Sequence, residues 1–326
     1  MKSRAIVLML VVALLTMAIG CAQGAGNSAT PDWPKKTISL VVPYAAGGSV
    51  DVFARGLAVY LGAELGVTVI VENMEGGGGS IGNAHVLSSA PDGYTFAVTN
   101  CSELTLGELI REVPYSTEDF TYLDTYFVEP SPIIVKNGAY DSLESLVEAA
   151  KQKPTSFATI GTGGYYHLQI LMLEEAADVK FNIVPYTGGS AIGTDLQGGH
   201  IDAGIAGMGF GLNQRSAGNL SVIAQCGEDA FPGTEGDIPL IKDIYPDFKG
   251  THQYFGILGP PNMPDSIKNA FLEAYQAVLE NEEFIAWTTE RNMALVSLGT
   301  DAFLNTMLEY RDHYAQMEEL IQKAKQ

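Results

Sequence analysis

Apolar positions along this chain follow two rhythms that alternate. Short runs dominated by β-branched and aliphatic residues read as strands at Ile38–Val42, Val67–Glu72, Tyr94–Thr99, Ile133–Lys136, Phe157–Ile160, Ile183–Pro185 and Ile201–Ala206. Between them, apolar residues three and four apart predict helices from Ser49 or Asp51 to about Leu65, and over Gly82–Ser89, Ser142–Lys151 and Leu168–Ala177. Strand and helix in alternation mean open α/β sheets, whose ligands lie near the strand C-termini. The last third of the chain differs. Pro264–Leu279, Glu282–Arg291 and Asp301–Ala324 all read as helical, with Phe303, Met307, Tyr310, Tyr314 and Met317 forming an apolar stripe of core-packing type.

The turn after the first strand carries the strongest chemical signal. Residues 38–51 run Ile-Ser-Leu-Val-Val-Pro-Tyr-Ala-Ala-Gly-Gly-Ser-Val-Asp. Pro43 donates no backbone hydrogen bond and ends the strand. Gly47 and Gly48 let the backbone turn, and Ser49 or Asp51 can cap the helix that follows. Free N–H groups and the positive dipole end at such a helix start favour an anion. No Lys or Arg lies in the loop, so amides, hydroxyls and water would hold it. Two further turns share this form: Gly161-Thr162-Gly163-Gly164-Tyr165-Tyr166-His167 and Pro185-Tyr186-Thr187-Gly188-Gly189-Ser190-Ala191. Each helix end would contribute ~0.3–1 kcal/mol to an anion from its dipole. One glycine turn is an ordinary connector; three together suggest a pocket, and their distribution suggests two similar lobes.

A chain of 326 residues exceeds one average domain. The formal charge of −20, with no basic cluster, argues against nucleic acid and leaves ligand choice to local groups, since charge is screened over ~8 Å at physiological salt. Lys2 and Arg4, the uncharged stretch Ala5–Gly20 and then Cys21 predict a signal peptide over residues 1–20. Ala18-Ile19-Gly20-Cys21 resembles a bacterial lipobox with Ala18 in place of the usual Leu, which predicts a lipidated Cys21; simple secretion is the alternative. Small and polar residues 21–32 would then be a tether. Of the remaining cysteines, nothing in the sequence brings Cys101 within ~7 Å of Cys226, and two free thiols are expected.

Several motifs taken together resemble the Bug-type extracytoplasmic solute receptors, the substrate-binding proteins of tripartite tricarboxylate transporters. These are Trp33-Pro34, Val42-Pro43-Tyr44-Ala45-Ala46-Gly47-Gly48 with Asp51, Val71-Glu72-Asn73, Gly76–Gly79, Ile81-Gly82, Ala90-Pro91-Asp92-Gly93-Tyr94-Thr95, Gly161-Thr162-Gly163 with His167, Pro185-Tyr186-Thr187-Gly188 and Gly198-Gly199-His200-Ile201-Asp202. The resemblance implies a type II, two-lobed periplasmic-binding-protein-like α/β fold with a cleft between open sheets. Lobe I would take residues 33–130 and be completed by 246–326, with lobe II over 131–245. It implies a non-enzymatic, monomeric receptor without cofactor or metal that captures a small organic carboxylate and delivers it to membrane permease subunits. By the same carry-over, Tyr44, Ala46, Gly47, Gly48, Ser49 and Asp51 supply contacts from lobe I. Thr162, Gly163, Tyr165, His167, Tyr186, Thr187 and Gly188 supply them from lobe II, and Asp202 lies near the cleft or orients its loops. Two departures from the family pattern bear on the ligand: Tyr165-Tyr166 stand where Ser and Ala are common, and Gly207-Met208-Gly209-Phe210 replace a frequent Asp or Asn.

Other readings of the same residues are weaker. Gly77, Gly79 and Gly82 match a dinucleotide fingerprint, but the second strand carries no acid in the required place. Gly78-Gly79-Ser80-Ile81-Gly82 matches a nucleophile elbow and would make Ser80 an esterase nucleophile, yet five residues separate the motif from its strand. His200-Ile201-Asp202 is at most half of a metal site. A sensor that binds the same ligand and signals to a membrane protein stays open.

Overall fold

A computed structural model describes residues 33–325. The signal segment, Cys21 and the tether lie outside the described residues. The first sheet begins with β1 (Ile38–Val42), α1 (Ser49–Leu65), β2 (Val69–Asn73), α2 (Ser80–Leu87), β3 (Thr95–Asn100), α3 (Cys101–Ile110) and β4 (Thr121–Glu129). After Pro130 the chain enters a second sheet through β5 (Ser131–Lys136), α4 (Leu143–Gln152), β6 (Ser156–Ile160), α5 (Tyr165–Ala176), β7 (Asn182–Tyr186), α6 (Gly189–Gly198), β8 (Ala203–Ile205), α7 (Met208–Ser216) and β9 (Leu220–Cys226). A short α8 (Ile241–Ile244) precedes β10 (Gln253–Gly259), which returns to the first sheet, and α9 (Asp265–Leu279), α10 (Glu282–Thr289), α11 (Thr300–Ala315) and α12 (Glu318–Ala324) follow.

The two sheets repeat one plan. Their strand orders are β2-β1-β3-β10-β4 and β7-β6-β8-β5-β9. In each, three parallel strands adjoin one antiparallel strand, β10 or β5, and a fifth closes the far edge. β1 is apolar almost throughout because helices cover both faces of a parallel sheet. The structure is therefore the two-lobed, open-sheet arrangement. Each lobe's glycine turns leave the C-terminal ends of its parallel strands, the side of the sheet where ligands are held.

Local signals explain most boundaries. Ser142 caps α4 by accepting from Ser145 N–H, and α1 ends at Gly66 in the left-handed conformation. The helix expected over Asp301–Ala324 is two helices. Met317 leaves helical geometry (φ −94°, ψ 52°), and the redirected α12 buries Leu320, Ile321 and Ala324 against α5 and α3. The stripe Phe303, Met307, Tyr310 and Tyr314 is core, as its spacing predicts, and burying such side chains is worth roughly 1.5–3 kcal/mol each. Helix α5 starts at Tyr165 rather than Leu168 and is buried on nearly all sides, which removes the amphipathic rhythm that marks a helix start. One hydrophobic core runs through both lobes, from Val41 and Leu104 through Tyr165 to Phe157. Cys101 and Cys226 are both buried and free, and burial pushes both thiols up.

Candidate functional site

The turn after β1 is built around Asp51. Gly47 adopts φ 87°, which a side chain would strain, and its N–H donates to Asp51 Oδ2 at 2.8 Å. Arg55 Nε and Nη2 reach the two carboxylate oxygens at 3.0 and 2.9 Å, and Asn73 Nδ2 donates to Oδ1 at 2.9 Å. Asn73 also donates to the Tyr44 carbonyl at 3.0 Å. Burial alone would raise the Asp51 carboxyl, but the hydrogen bonds from Arg55, Gly47 and Asn73 outweigh it and hold the group below its ordinary value. Asp51 thus spends its acceptor sites on shaping the loop. Gly48 takes the N-cap position of α1, Ser49 is the first helical residue, and Ala46, Gly47, Gly48 and Ser49 are exposed.

The second turn meets the first lobe directly. Gly163 N–H donates to His167 Nδ1 at 3.0 Å, which leaves the imidazole proton on Nε2, and burial lowers the pKa of the ring. At Gly163 (φ 73°) a Cβ would stand 2.9 Å from the Ala324 carbonyl oxygen, so only glycine fits. Thr162 is exposed. At the start of α5, Tyr165 N–H donates to Glu103 Oε1 at 2.6 Å. Glu103 belongs to α3 of the other lobe, so a carboxylate of this chain occupies the helix N-terminus that the sequence offers to an anion. Burial raises the Glu103 carboxyl, although Arg111, 3.7 Å away, and the Tyr165 amide oppose that. Tyr165, expected at the ligand, instead sends its hydroxyl into the core, where it donates to the Thr251 carbonyl at 2.6 Å.

Tyr186, the last residue of β7, donates from its hydroxyl to Asp195 of α6 at 2.5 Å; that bond and partial burial push the phenol up to about 12. Thr187 is exposed and Gly188 caps α6. Asp202, expected near the cleft or orienting its loops, takes an orienting part. It accepts from Ser156 N–H at 2.9 Å, Ser156 Oγ at 2.7 Å and Tyr140 Oη at 3.1 Å. Those contacts are at the start of β6, the opposite end of the parallel strands from the glycine turns, so Asp202 orients strands and does not line the cleft. Ser80 opens α2 behind the Gly77–Gly79 turn, seven residues after the end of β2, and is not on a nucleophile elbow.

Between the lobes lies a buried polar cluster that the motifs do not reveal. Tyr166 donates from its hydroxyl to Gln253 Oε1 at 3.2 Å, and Gln253 stands directly across from Glu129 in the β10–β4 register. The Gln253 Nε2, the Tyr44 hydroxyl and the Thr99 hydroxyl are buried without partners. Burial raises the Tyr44 phenol, with Glu103 adding to it, and raises the Tyr166 phenol, with Glu129 adding to it. Burial also pushes the Glu129 carboxyl up to about 7, against a partial offset from the Met208 amide at the start of α7. Glu103 had a readable signal, an Asn100 N-cap three residues ahead whose side chain accepts from Glu103 N–H at 3.2 Å. Glu129 and Gln253 had none. Elsewhere, two surface depressions of about 500 and 420 Å³ are lined by none of the site residues the sequence nominates and lie outside the cluster. Among the described residues, no group of three or more His, Cys, Asp or Glu side chains could hold a metal ion, and no helix is long and apolar enough to cross a membrane.

Comparison with known proteins agrees with this architecture. Residues 53–325 match the family model described as Tripartite tricarboxylate transporter family receptor. Protein BugT of Bordetella pertussis is 30% identical over 290 residues, covering 84% of this chain and 87% of its own length. The solved periplasmic binding protein BugD is similar with a TM-score of 0.78 at 26% identity, over 90% of this chain and 100% of that one. MatC from Rhodopseudomonas palustris, solved with bound malate, gives a TM-score of 0.75 at 20% identity over 89% of this chain and 100% of that one, a likeness of fold.

Proposed function

The chain belongs to the tripartite tricarboxylate transporter receptor family, and from that premise we propose that it captures a small organic carboxylate between its lobes for membrane permease subunits. Receptors of this family bind extracytoplasmic solutes and are not enzymes. The observation that supports the cleft as the binding place is the set of partnerless buried polar atoms, Tyr44 Oη, Thr99 Oγ1 and Gln253 Nε2, gathered where the two lobes meet. Buried polar groups are ordinarily satisfied, and a ligand supplies what is missing. Malate in MatC, a protein of the same fold, supports a carboxylate as the ligand class. Backbone amides of the Tyr44–Ser49 and Tyr186–Gly189 turns, other than the Gly47 amide already given to Asp51, are further candidate donors. Closure of the lobes over the ligand would then stabilise the bound state.

Calorimetry of the purified protein with mono-, di- and tricarboxylates tests this reading. At least one should bind, and Ser49→Ala together with Thr162→Ala should weaken it without lowering the melting temperature. No heat from any of them would sink the reading. The lipobox-like Ala18–Cys21 supports a lipid anchor at Cys21; metabolic labelling with a fatty acid should mark the wild type and not Cys21→Ser.

A further inference from the structure

Helix α5 connects β6 to β7 of the second sheet, yet its first turns are fastened to the other lobe. Tyr165 N–H donates to Glu103 Oε1 of α3 at 2.6 Å, and the Tyr165 hydroxyl donates at 2.6 Å to the carbonyl of Thr251, in the stretch that leads back into β10. One turn on, Gln169 Nε2 donates to the Tyr314 hydroxyl of α11 at 2.9 Å, and that hydroxyl pairs with Thr251 Oγ1 at 2.9 Å. Tyr165, Gln169, Thr251 and Tyr314 are all buried. Glycines make the seats. A Cβ at Gly164 would stand 2.6 Å from Glu103 Oε1, and Gly250 runs against Gln169 with no room for one. Apolar packing surrounds these bonds, with Ile110 of α3 and Leu320, Ile321 and Ala324 of α12 in the same core as Tyr165. The turns after β1 and β7 differ: Ala45–Ser49, Thr187 and Ser190 are exposed.

We infer that α5 is the fixed pivot of lobe closure, with Glu103 as the positioning residue that pins its N-terminus. This rests on the reading above that the lobes close over a ligand. Parting the lobes at α5 would leave the Glu103 carboxylate, the Tyr165 amide and hydroxyl and the Gln169 amide without their partners, and would bare the apolar faces of α3 and α12. Parting them at the exposed turns breaks none of these bonds. Opening and closing therefore take place at the turns after β1 and β7. The N-terminus of α5 stays filled by Glu103 throughout, so a ligand anion draws its backbone amides from the other two turns.

Amide hydrogen exchange, followed residue by residue by NMR, tests the pivot on the ligand-free protein and then with the tightest-binding member of the carboxylate panel. Without ligand, the Tyr165 amide should exchange about 100-fold or more slowly than the Thr187 amide, because a fixed contact opens only with the core. Glu103→Ala should speed it by about ten-fold or more, and Glu103→Gln, which keeps an acceptor, should restore most of the protection. A Tyr165 amide as fast as Thr187, or one that Glu103→Ala leaves unchanged, would overturn the inference. Should Glu103→Ala not fold, the wild type and Glu103→Gln decide. On adding ligand, Thr187 should slow by about ten-fold while Tyr165 changes by less than about two-fold. A ten-fold change at Tyr165 would place the moving contact at α5 and overturn the pivot while leaving the carboxylate reading intact. If no member of the panel binds, the carboxylate reading falls, and the ligand-free exchange still decides whether Glu103 pins α5.

Discussion

Asp51 and Glu129 are both buried carboxylates beside helix N-termini, one in the turn after β1 and the other where the lobes join. Their surroundings are opposite. Asp51 accepts from Gly47, Arg55 and Asn73, and its carboxyl is held down; Glu129 has the Met208 amide and no cation, and its carboxyl is pushed up to about 7. The helix-end field is similar in kind at both places, so it does not decide the outcome. What decides it is whether the fold delivers a full set of donors. A carboxylate with a full donor set fixes a loop and is held ionised; one buried with a single amide donor at the lobe junction is pushed toward its neutral form.

Removing the satisfied member should have the largest effect on stability. Asp51→Ala leaves Arg55, Asn73 and the Gly47 N–H without their common acceptor and should cost about 3 kcal/mol in urea unfolding at pH 7. A loss under about 1 kcal/mol would mean the loop holds itself without Asp51. Because the folded pKa of Asp51 is lowered, its contribution is present above its ordinary value of 3.8 and lost as pH falls through the folded value.

Glu129 should show the reverse sign. Its folded pKa lies above its ordinary 4.5, so its stabilising contribution is complete below pH 4.5 and is lost as pH rises through about 7. Glu129→Gln should therefore be more stable than wild type at pH 8, by on the order of 2–3 kcal/mol, with the gap closing below pH 4.5. Thermal melts of the two proteins across that range check it, and equal stability at pH 8 would break the comparison with Asp51.

The smallest effect is expected at His167, where one neutral hydrogen bond from Gly163 is at stake. His167→Ala should cost about 0.5–1 kcal/mol. Since burial keeps the ring neutral, acidification to pH 5 should narrow the difference between wild type and variant, as the wild type must then charge a buried ring.

Much of the fold is legible in the sequence because its signals are local. Pro43 ending β1, Gly47 and Gly48 shaping the turn, Ser142 capping α4 and the Phe303–Tyr314 stripe all act within a few residues of one another. Elements lacking such contrast are hidden: β4 and β10 contain Asp124, Thr125, Gln253 and Gly256 in buried positions, and α3 follows β3 without a loop. The family motifs locate the glycine turns but mix loop-shaping residues with cleft residues, as Asp51, Tyr165, His167 and Asp202 show.

The sequence by itself determined the alternation of strands and helices, the glycine turns at strand ends and the family, since each rests on short-range spacing. Tertiary structure decided which groups meet. Glu103 reaches Tyr165, Gln253 stands across from Glu129, and Asp202 is set at the far end of its sheet, because strand register and lobe packing join residues that no local pattern connects.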